Sequence, residues 1–309
     1  MDKVNQRGET LKDFLGKYDP SRYEKASLTT DAVIFTIDDK QIESVNSKAL
    51  QILLVKRKDH PCVGQWALPG GFLNMSEGLH ECAKRELGEE THIDVFMEQL
   101  KTIGDNPYRD PRDRIVSVAY MALVDKRKHQ VIADDDAEDA KWFSIERSEF
   151  LDNQVAEDSW GTHHSHRVTH YKLVSDDLKE VIEFDLDVSV TFVGYSNTNT
   201  EAIVKNVSQG EAIAFDHAEV IDYALTRLVG KIDYEPIALS LMPKTFTLKA
   251  LMEVYEVIKN ELYAKKNFHR NILKKGFLKE TGELEQPNGK GKPAKLYTFD
   301  FNWNIWNRR

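Results

Sequence analysis

Residues 71–93, GFLNMSEGLHECAKRELGEETHI, set three glutamates, Glu86, Glu89 and Glu90, at the end of one amphipathic helix behind a glycine-rich turn. At about 100° per residue, Leu79, Cys82, Ala83 and Leu87 form an apolar stripe, and Glu86 and Glu90 fall inside that stripe. A carboxylate turned toward a core is costly unless it is paired or bound to a cation, and three like charges crowded into one turn repel. A divalent cation relieves both costs, because a hard ion takes carboxylate oxygens and can be shared with phosphates. The stretch therefore predicts a site for Mg²⁺ (or Mn²⁺) and a diphosphate, with Glu86, Glu89 and Glu90 as metal ligands. The competing reading is a solvated acidic helix capped by Asn74 with Glu77 three residues on, and the stripe argues against it.

The spacing continues the argument. Gly71, five residues, Glu77, seven residues and then Arg85-Glu86-Leu87-Gly88-Glu89-Glu90 resembles the Nudix hydrolase box, with His92 where the family pattern carries glycine. A glycine there suits a left-handed residue just past a helix end, a conformation that histidine tolerates less easily. The resemblance implies an α+β fold, a Nudix-type α/β/α sandwich with a mixed sheet, and a pyrophosphohydrolase. In that reading Glu86 and Glu90 bind metal, Glu89 shares metal binding or orients the attacking water, Arg85 steadies the glutamates and Glu77 supports them from behind.

Length and composition bound the rest. The 309 residues suggest two domains, and 41% hydrophobic with 30% charged residues is the balance of a folded soluble chain. No apolar run approaches a membrane span and the start, MDKVNQRGETLKDF, has no signal-like region, so a cytoplasmic protein with no membrane partner is expected. Cys62 and Cys82 lack metal-ligand spacing and read as free thiols in a reducing compartment. Charge is unevenly spread: residues 236–309 hold 14 Lys/Arg against 7 Asp/Glu, leaving −16 on the remainder of a chain whose net charge is −9.

Along the chain, residues 1–27 read as an arm, with a short helix from Glu9 to Lys17 ended by Tyr18-Asp19-Pro20. Residues 28–240 read as the Nudix domain, interrupted by an insertion at about 152–210, and residues 241–309 as a winged-helix domain. Strands are expected at Asp31 to Ile37, Leu50 to Lys56 and Ile115 to Val124, and a turn at Lys141-Trp142-Phe143 leading into Ser144 to Leu151. Gly70 and Gly71 allow backbone to approach a phosphate; taken alone they describe only a tight turn. The loop Asn106-Pro107-Tyr108-Arg109-Asp110-Pro111-Arg112-Asp113-Arg114 offers Arg109, Arg112 and Arg114 as planar forks for a diphosphate. It resembles the RDPRG-type motif of ADP-ribose-directed Nudix proteins, with Asp113 in place of the glycine. Nudix proteins often carry an acid just before the tryptophan of the next acidic turn, which makes Asp139 or Glu138 a candidate base or outer metal ligand.

In the insertion, alternating segments such as Val181 to Phe192 suggest hairpins without a core of their own. His163, His164, His166 and His170 raise a zinc site, but no second ligand group lies nearby and an exposed strand edge is the better reading. After it, Asp216 is placed to cap a helix with Glu219 reaching back.

The tail predicts a helix from Phe246-Thr247 to Lys259, a second from about Ala264 to Lys275 ended by Gly276, and a hairpin whose tip carries Lys290 and Lys292. On the second helix Phe268 and Ile272 point inward while Asn267, Arg270, Asn271 and Lys274 form a polar stripe suited to base edges. Helix, helix and basic hairpin describe a winged helix-turn-helix on double-stranded DNA. Together with Phe215-Asp216-His217 and Gly291-Lys292-Pro293, the tail resembles the NAD-related transcriptional regulator family. That resemblance implies an ADP-ribose ligand, operator binding and a homodimer, and leaves open whether the chain hydrolyses the ligand or only senses it.

Overall fold

The computed structural model describes residues 3–39, 48–129, 137–152, 162–193, 196–208, 210–285 and 293–303. After an N-terminal helix α1 (Leu11–Lys17), closed by a reciprocal Thr10–Asp13 capping box, the chain enters a large mixed sheet. Its strands are β1 (Ser27–Asp39), β2 (Lys48–Arg57), the short β3 (Trp66–Ala67) and β4 (Gly70–Phe72), β5 (Glu98–Ile103), β6 (Ile115–Leu123), β7 (Ala137–Asp152), β8 (Thr162–Ser175), β9 (Val181–Val193) and β10 (Ser196–Asn206). Their order is β10-β9-β8-β7-β2-β1-β6-β5, with β3 added to β2 and β4 to β1. Only β1 and β6 run parallel, from Ser27 beside Ile115 to Phe35 beside Leu123; the remaining pairs are antiparallel.

Strand alternation distributes the core to both faces. Ala32 and Ile34 of β1 point with Leu53, Val118 and Trp142 toward helix α2 (Leu79–Thr91), which returns Ala83 and Leu87. Val33 and Phe35 point the other way with Ile52, Leu54 and Phe143 toward helix α3 (His217–Lys231), which returns Ala218, Ile221, Ala224, Leu225 and Leu228. Helices on both faces of a mixed sheet make the α/β/α sandwich.

Two local expectations fail. No turn interrupts Lys141-Trp142-Phe143: β7 runs unbroken through residues 137–152, because Trp142 and Phe143 insert on opposite faces and Leu53 and Ile52 pair with them across the ladder. The histidines of the 152–210 stretch are not on a strand edge either, since β8 lies between β7 and β9 with pairing on both sides. His166 meets Asp187 at 2.6 Å and His170 meets Asp185 at 2.8 Å, cross-strand pairs that give these histidines a role in sheet register. The stretch shares the main core through Tyr171, Leu173, Ile182, Phe184 and Leu186. It also reaches α3 by polar contacts: Tyr171 donates to Asp222 at 2.6 Å and Arg167 forms an ion pair with the same buried carboxylate.

The C-terminal unit consists of β11 (Phe246–Thr247), α4 (Leu248–Lys259), α5 (Lys265–Lys274), β12 (Leu278–Glu285) and β13 (Ala294–Phe299), in a three-stranded sheet ordered β11-β13-β12. Phe246 and Thr247 lie in a strand instead of opening the helix; Thr247 then caps α4 by accepting from the Ala250 N–H at 3.2 Å. Gly276, at φ 75°, follows α5 in the left-handed backbone expected of it. Leu248, Leu251, Val254, Tyr255 and Ile258 bury α4 in the same apolar cluster as α3, and Tyr255 donates to the Ile232 carbonyl at 3.1 Å. Among the described residues no helix is long and apolar enough to cross a membrane.

Removing the partner of a buried charge costs about 3–5 kcal/mol. Arg167→Met should therefore lower unfolding stability by roughly 3 kcal/mol, read from urea denaturation, by leaving the Asp222 carboxylate inside the α3–β8 interface with the uncharged Tyr171 hydroxyl as donor and no paired cation from Arg167.

Candidate active site

Glycine pairing locates the site. β4 lies against β1 with Gly71 beside Thr30 and Gly70 beside Asp31, and α2 crosses directly over it. A Cβ on Gly70 would lie 2.1 Å from the Thr30 carbonyl, and one on Gly71 would lie 2.4 Å from the Glu86 carboxyl. At Gly70 the obstacle is backbone, which closes the position to a side chain, whereas at Gly71 it is the end of the Glu86 side chain, which would have to move aside. The Glu86 carboxyl of α2 thus occupies the space that a side chain at Gly71 would take, and β1 occupies that at Gly70.

Glu90 accepts the Gly70 N–H at 2.9 Å. Burial pushes its carboxyl up from 4.5 to about 8, against the opposing effect of that N–H, with the neighbouring charge of Glu86 adding to the rise. Glu86, only 15% exposed, is likewise raised by burial, opposed by Arg85. Arg85 is the hub: it pairs with both oxygens of Glu77 at 3.0 and 2.7 Å, with Glu86 at 2.7 Å and with Glu89 at 2.9 Å, and donates to the Phe72 carbonyl at 3.1 Å. The Arg85 hydrogen bond holds Glu77 down at about 2. Glu89, 45% exposed, shares the Arg85 Nη1 with Glu86 and lines the same cleft.

As held, these acids do not form a closed ligand cluster, and no group of three His, Cys, Asp or Glu does so among the described residues. Arg85 engages Glu86 and Glu89, and Gly70 engages Glu90. The donor set nevertheless fits a hard divalent cation: carboxylate oxygens gathered beside a turn that excludes side chains, one of them held protonated by burial for want of a compensating charge.

Around this centre lies a cleft of about 450 Å³, whose lining includes Asp31, Arg57, Phe72, Asn74, Arg109, Arg112, Phe215 and His217 beside the glutamates. That volume suits a small nucleotide. Asp31 and His217 form a buried pair that sequence reading missed. Ser117 donates to Asp31, the Leu68 N–H donates to His217 Nδ1 at 2.9 Å, and His217 Nε2 lies 3.6 Å from Asp31. The Leu68 bond makes Nδ1 the acceptor, so the neutral ring carries its proton on Nε2; burial lowers the histidine pKa and keeps it neutral. Asp31 was visible as an acid opening an otherwise apolar strand, and His217 as part of Phe215-Asp216-His217.

The arginine loop is placed otherwise than expected. Arg109, 5% exposed, gives its fork to Asp216 at 2.7 and 2.6 Å, and Arg112 gives its own to Asp110 at 3.0 and 2.7 Å. Both line the cleft, but as neutralised pairs instead of open forks. Arg114 bonds to the Gly104 carbonyl and is not part of the lining. Asp216 is correspondingly lost as a side-chain cap for α3, since a two-pronged charged pair outcompetes a single N–H. Asp139 meets Lys141 at 3.2 Å and Glu138 is exposed; neither joins the cleft. What the cleft has instead is a layered wall: Arg112 lies over Phe72 at 5.1 Å and Phe215 at 5.8 Å, and Arg57 covers Phe215 at 5.1 Å. Phe215 holds φ 51°, an outlier for a bulky residue. His92, at φ 60° and ψ 19°, does adopt the left-handed conformation of the helix end.

On the C-terminal unit, Asn267, Arg270, Asn271 and Lys274 are all exposed on one side of α5 while Phe268 and Ile272 are buried on the other. Lys290 and Lys292 lie outside the described residues.

Comparison with known proteins agrees with both units. Residues 30–163 match the NUDIX domain family and residues 238–299 match the NrtR DNA-binding winged helix domain. The chain is 32% identical over 299 residues to the ADPR responsive transcriptional repressor NtrR of Acinetobacter baylyi, covering 94% of this chain and 90% of that one. An ADP-ribose pyrophosphatase of Methanocaldococcus jannaschii is 35% identical over 104 residues, 34% of this chain and 60% of the relative. A crystal structure of a MutT/nudix family protein from Enterococcus faecalis superposes with TM-score 0.64 at 27% identity, covering 96% and 95% of the two chains. Shewanella oneidensis NrtR complexed with a 27mer DNA gives 0.56 at 28% identity, covering 88% and 93%.

The Glu90 carboxyl sets a pH dependence. An unfolded chain loses this proton near 4.5 and the folded one near 8, so folding stability falls as pH rises through that window and then levels off. Glu90→Gln should match the parent in stability near pH 4 and exceed it by about pH 8.5, read from denaturant midpoints in metal-free buffer across the range. Gly71→Ala should displace Glu86 and weaken Mn²⁺ binding by roughly 10- to 100-fold, read by electron paramagnetic resonance.

Proposed function

Because the chain belongs to the family of Nudix proteins that carry an NrtR-type winged helix, we propose that it binds ADP-ribose or a related nucleoside diphosphate in the α2–β4 cleft, cleaves it with Mg²⁺ (or Mn²⁺), and couples the occupancy of the cleft to DNA contact through α5. The observation that carries the reading is the burial of Glu86 and Glu90 against a side-chain-free turn. Family membership extends to hydrolase-type Nudix domains; turnover by this chain is the proposed part.

In this reading Glu86 and Glu90 hold the cation, and Glu89 shares it or orients the attacking water. A divalent ion supplies Lewis-acid polarisation of a phosphoryl oxygen. Arg85 keeps the three glutamates in place, and Glu77, ionised far below neutrality, keeps Arg85 in place. Gly70 and Gly71 bring backbone close to the diphosphate. Phe72 and Phe215, backed by Arg112 and Arg57, offer flat faces against which a purine can stack. Arg109 and Arg112 supply positive charge at the wall, already balanced by Asp216 and Asp110. The chain acts, on this reading, in the cytoplasm, where such nucleotides and operator DNA meet.

Regulation is favoured by one observation of its own. α3 starts in the cleft, where His217 contacts Leu68 and Asp216 grips Arg109, and it ends against the winged helix. There the Ile232 carbonyl accepts from Tyr255 at 3.1 Å and from Lys275 at 3.2 Å, and Lys259 pairs with Asp233 at 2.5 Å. One rigid element thus touches ligand site and DNA-binding unit, and a ligand that draws Arg109 away from Asp216 shifts the orientation of both. A sensor that binds ADP-ribose without cleaving it is the second reading; the complete glutamate set favours turnover.

Incubation with ADP-ribose and Mg²⁺ should release AMP, and Glu90→Gln should slow release by roughly a hundredfold or more. Tight ADP-ribose binding by calorimetry without AMP release leaves the sensor reading in place of the enzyme. Arg270→Ala or Lys274→Ala should weaken operator DNA binding and reduce its salt slope by about 1 per lysine or arginine removed, read by fluorescence anisotropy at several salt concentrations.

A further inference from the structure

The buried pair Asp31 and His217 lines the cleft without taking part in holding the cation. Each residue is fixed through one of its two polar atoms: Ser117 donates to Asp31 Oδ2, and the Leu68 N–H donates to His217 Nδ1 at 2.9 Å. The remaining atoms, Asp31 Oδ1 and His217 Nε2, stand 3.6 Å apart, too far for a hydrogen bond, and neither has a hydrogen-bond partner of its own among the described residues. Burial keeps the ring neutral with its proton on Nε2, so the pair presents one donor and one acceptor side by side. Polar groups this deeply buried are seldom left unsatisfied.

Position says what should satisfy them. Asp31 Oδ1 lies 3.0 Å from where a Cβ on Gly70 would stand, and the Gly70 N–H is held by Glu90 at 2.9 Å. The pair thus adjoins the turn and the carboxylate that face the diphosphate and its cation. The His217 ring centre is in turn 5.4 Å from that of Phe215, one of the flat faces of the wall. Between a diphosphate and a stacked base lies a ribose. Chemistry agrees, because a hydroxyl accepts from Nε2–H and donates to Oδ1 at once. A phosphate oxygen would accept from Nε2 but set its charge against Asp31, and an amino group would donate to Asp31 and leave Nε2 without an acceptor. An adenine edge carries both functions, yet the sugar holds it away from the phosphates and hence from Gly70.

On the reading of the cleft as a nucleoside diphosphate site, we propose that Asp31 and His217 bind one hydroxyl of a ribose cis-diol joined to the diphosphate, and that this contact makes the cleft select ribosyl over deoxyribosyl ligands. ADP-ribose offers two such sugars, the nucleoside ribose and the terminal ribose, each next to a phosphate. Loss of the hydroxyl leaves a buried N–H and a buried carboxylate oxygen unanswered, which is how a polar site rejects an analogue that merely lacks a group.

Isothermal titration calorimetry of the full chain, with Ca²⁺ as the hard cation, tests this with ADP-ribose and its 2′-deoxy, 3′-deoxy, 2″-deoxy and 3″-deoxy analogues. One analogue should bind roughly 10- to 100-fold more weakly than ADP-ribose, and its identity names the sugar: a primed position the nucleoside ribose, a doubly primed one the terminal ribose. Asp31→Ala and His217→Ala should each bring that analogue to within about threefold of ADP-ribose. The ratio is the readout, because removing the Asp31 charge also alters attraction for the diphosphate, and a merely structural role would weaken both ligands alike. Circular dichroism matching the parent qualifies each variant, and either one alone decides. Equal binding of all analogues by the parent chain, the result if a water molecule bridges the pair, overturns the subsite while leaving the nucleotide reading intact, as does a preference that survives both substitutions. Failure of the parent to bind ADP-ribose at all removes the nucleotide reading and the subsite with it.

Discussion

The chemistry of this protein depends on the price of taking the Glu86 and Glu90 carboxylates out of water. α2 docks through Ala83 and Leu87 on the β1–β6 face, and at about 100° per residue that docking forces the two acids toward β4. Desolvation raises both, and against it the chain supplies one N–H from Gly70 and the charge of Arg57 at Glu90, and the Arg85 guanidinium at Glu86. Gly71 belongs to the same constraint, since a Cβ there would overlap the Glu86 carboxyl, while Gly70 is closed by the Thr30 carbonyl of β1. A site that is costly in this way is poised for a cation, because the charge the protein lacks is the charge the ligand brings.

The second half of the cleft is assembled from far along the chain. β1 contributes Asp31 and β6 contributes Ser117, while α3 contributes His217 and, at its cap, Asp216. The Arg109–Asp216 pair ties the arginine loop to α3, so the loop cannot move without pulling on a helix whose other end is bonded to the winged helix through Ile232 and Asp233. Core continuity reinforces the link, as Leu225 and Leu228 share one apolar cluster with Leu251 and Tyr255. The two units are mechanically joined by packing, which is bistable more readily than it is compliant.

Residue pattern alone determined the box helix, the identity of its inward acids, the principal strands, the winged-helix order and the outward stripe of α5. Each of these is a matter of periodicity or of a local stop signal: 3.6-residue spacing, period-two alternation, Thr247 before α4 and Gly276 after α5. Even the left-handed turn at His92 was legible from the glycine that the box pattern carries there, although histidine fills it. The tertiary structure alone decided the fate of the arginine forks, the placement of His166 and His170 inside a sheet, the unbroken course of β7 and the Asp31–His217 pair. The longest of those outcomes turn on groups that meet across 86 and 107 residues of chain, as Ser117 meets Asp31 and Arg109 meets Asp216, whereas Arg112 takes Asp110 only two residues away. A buried charge takes the nearest opposite charge that folding delivers, and one-dimensional spacing carries no record of that neighbour.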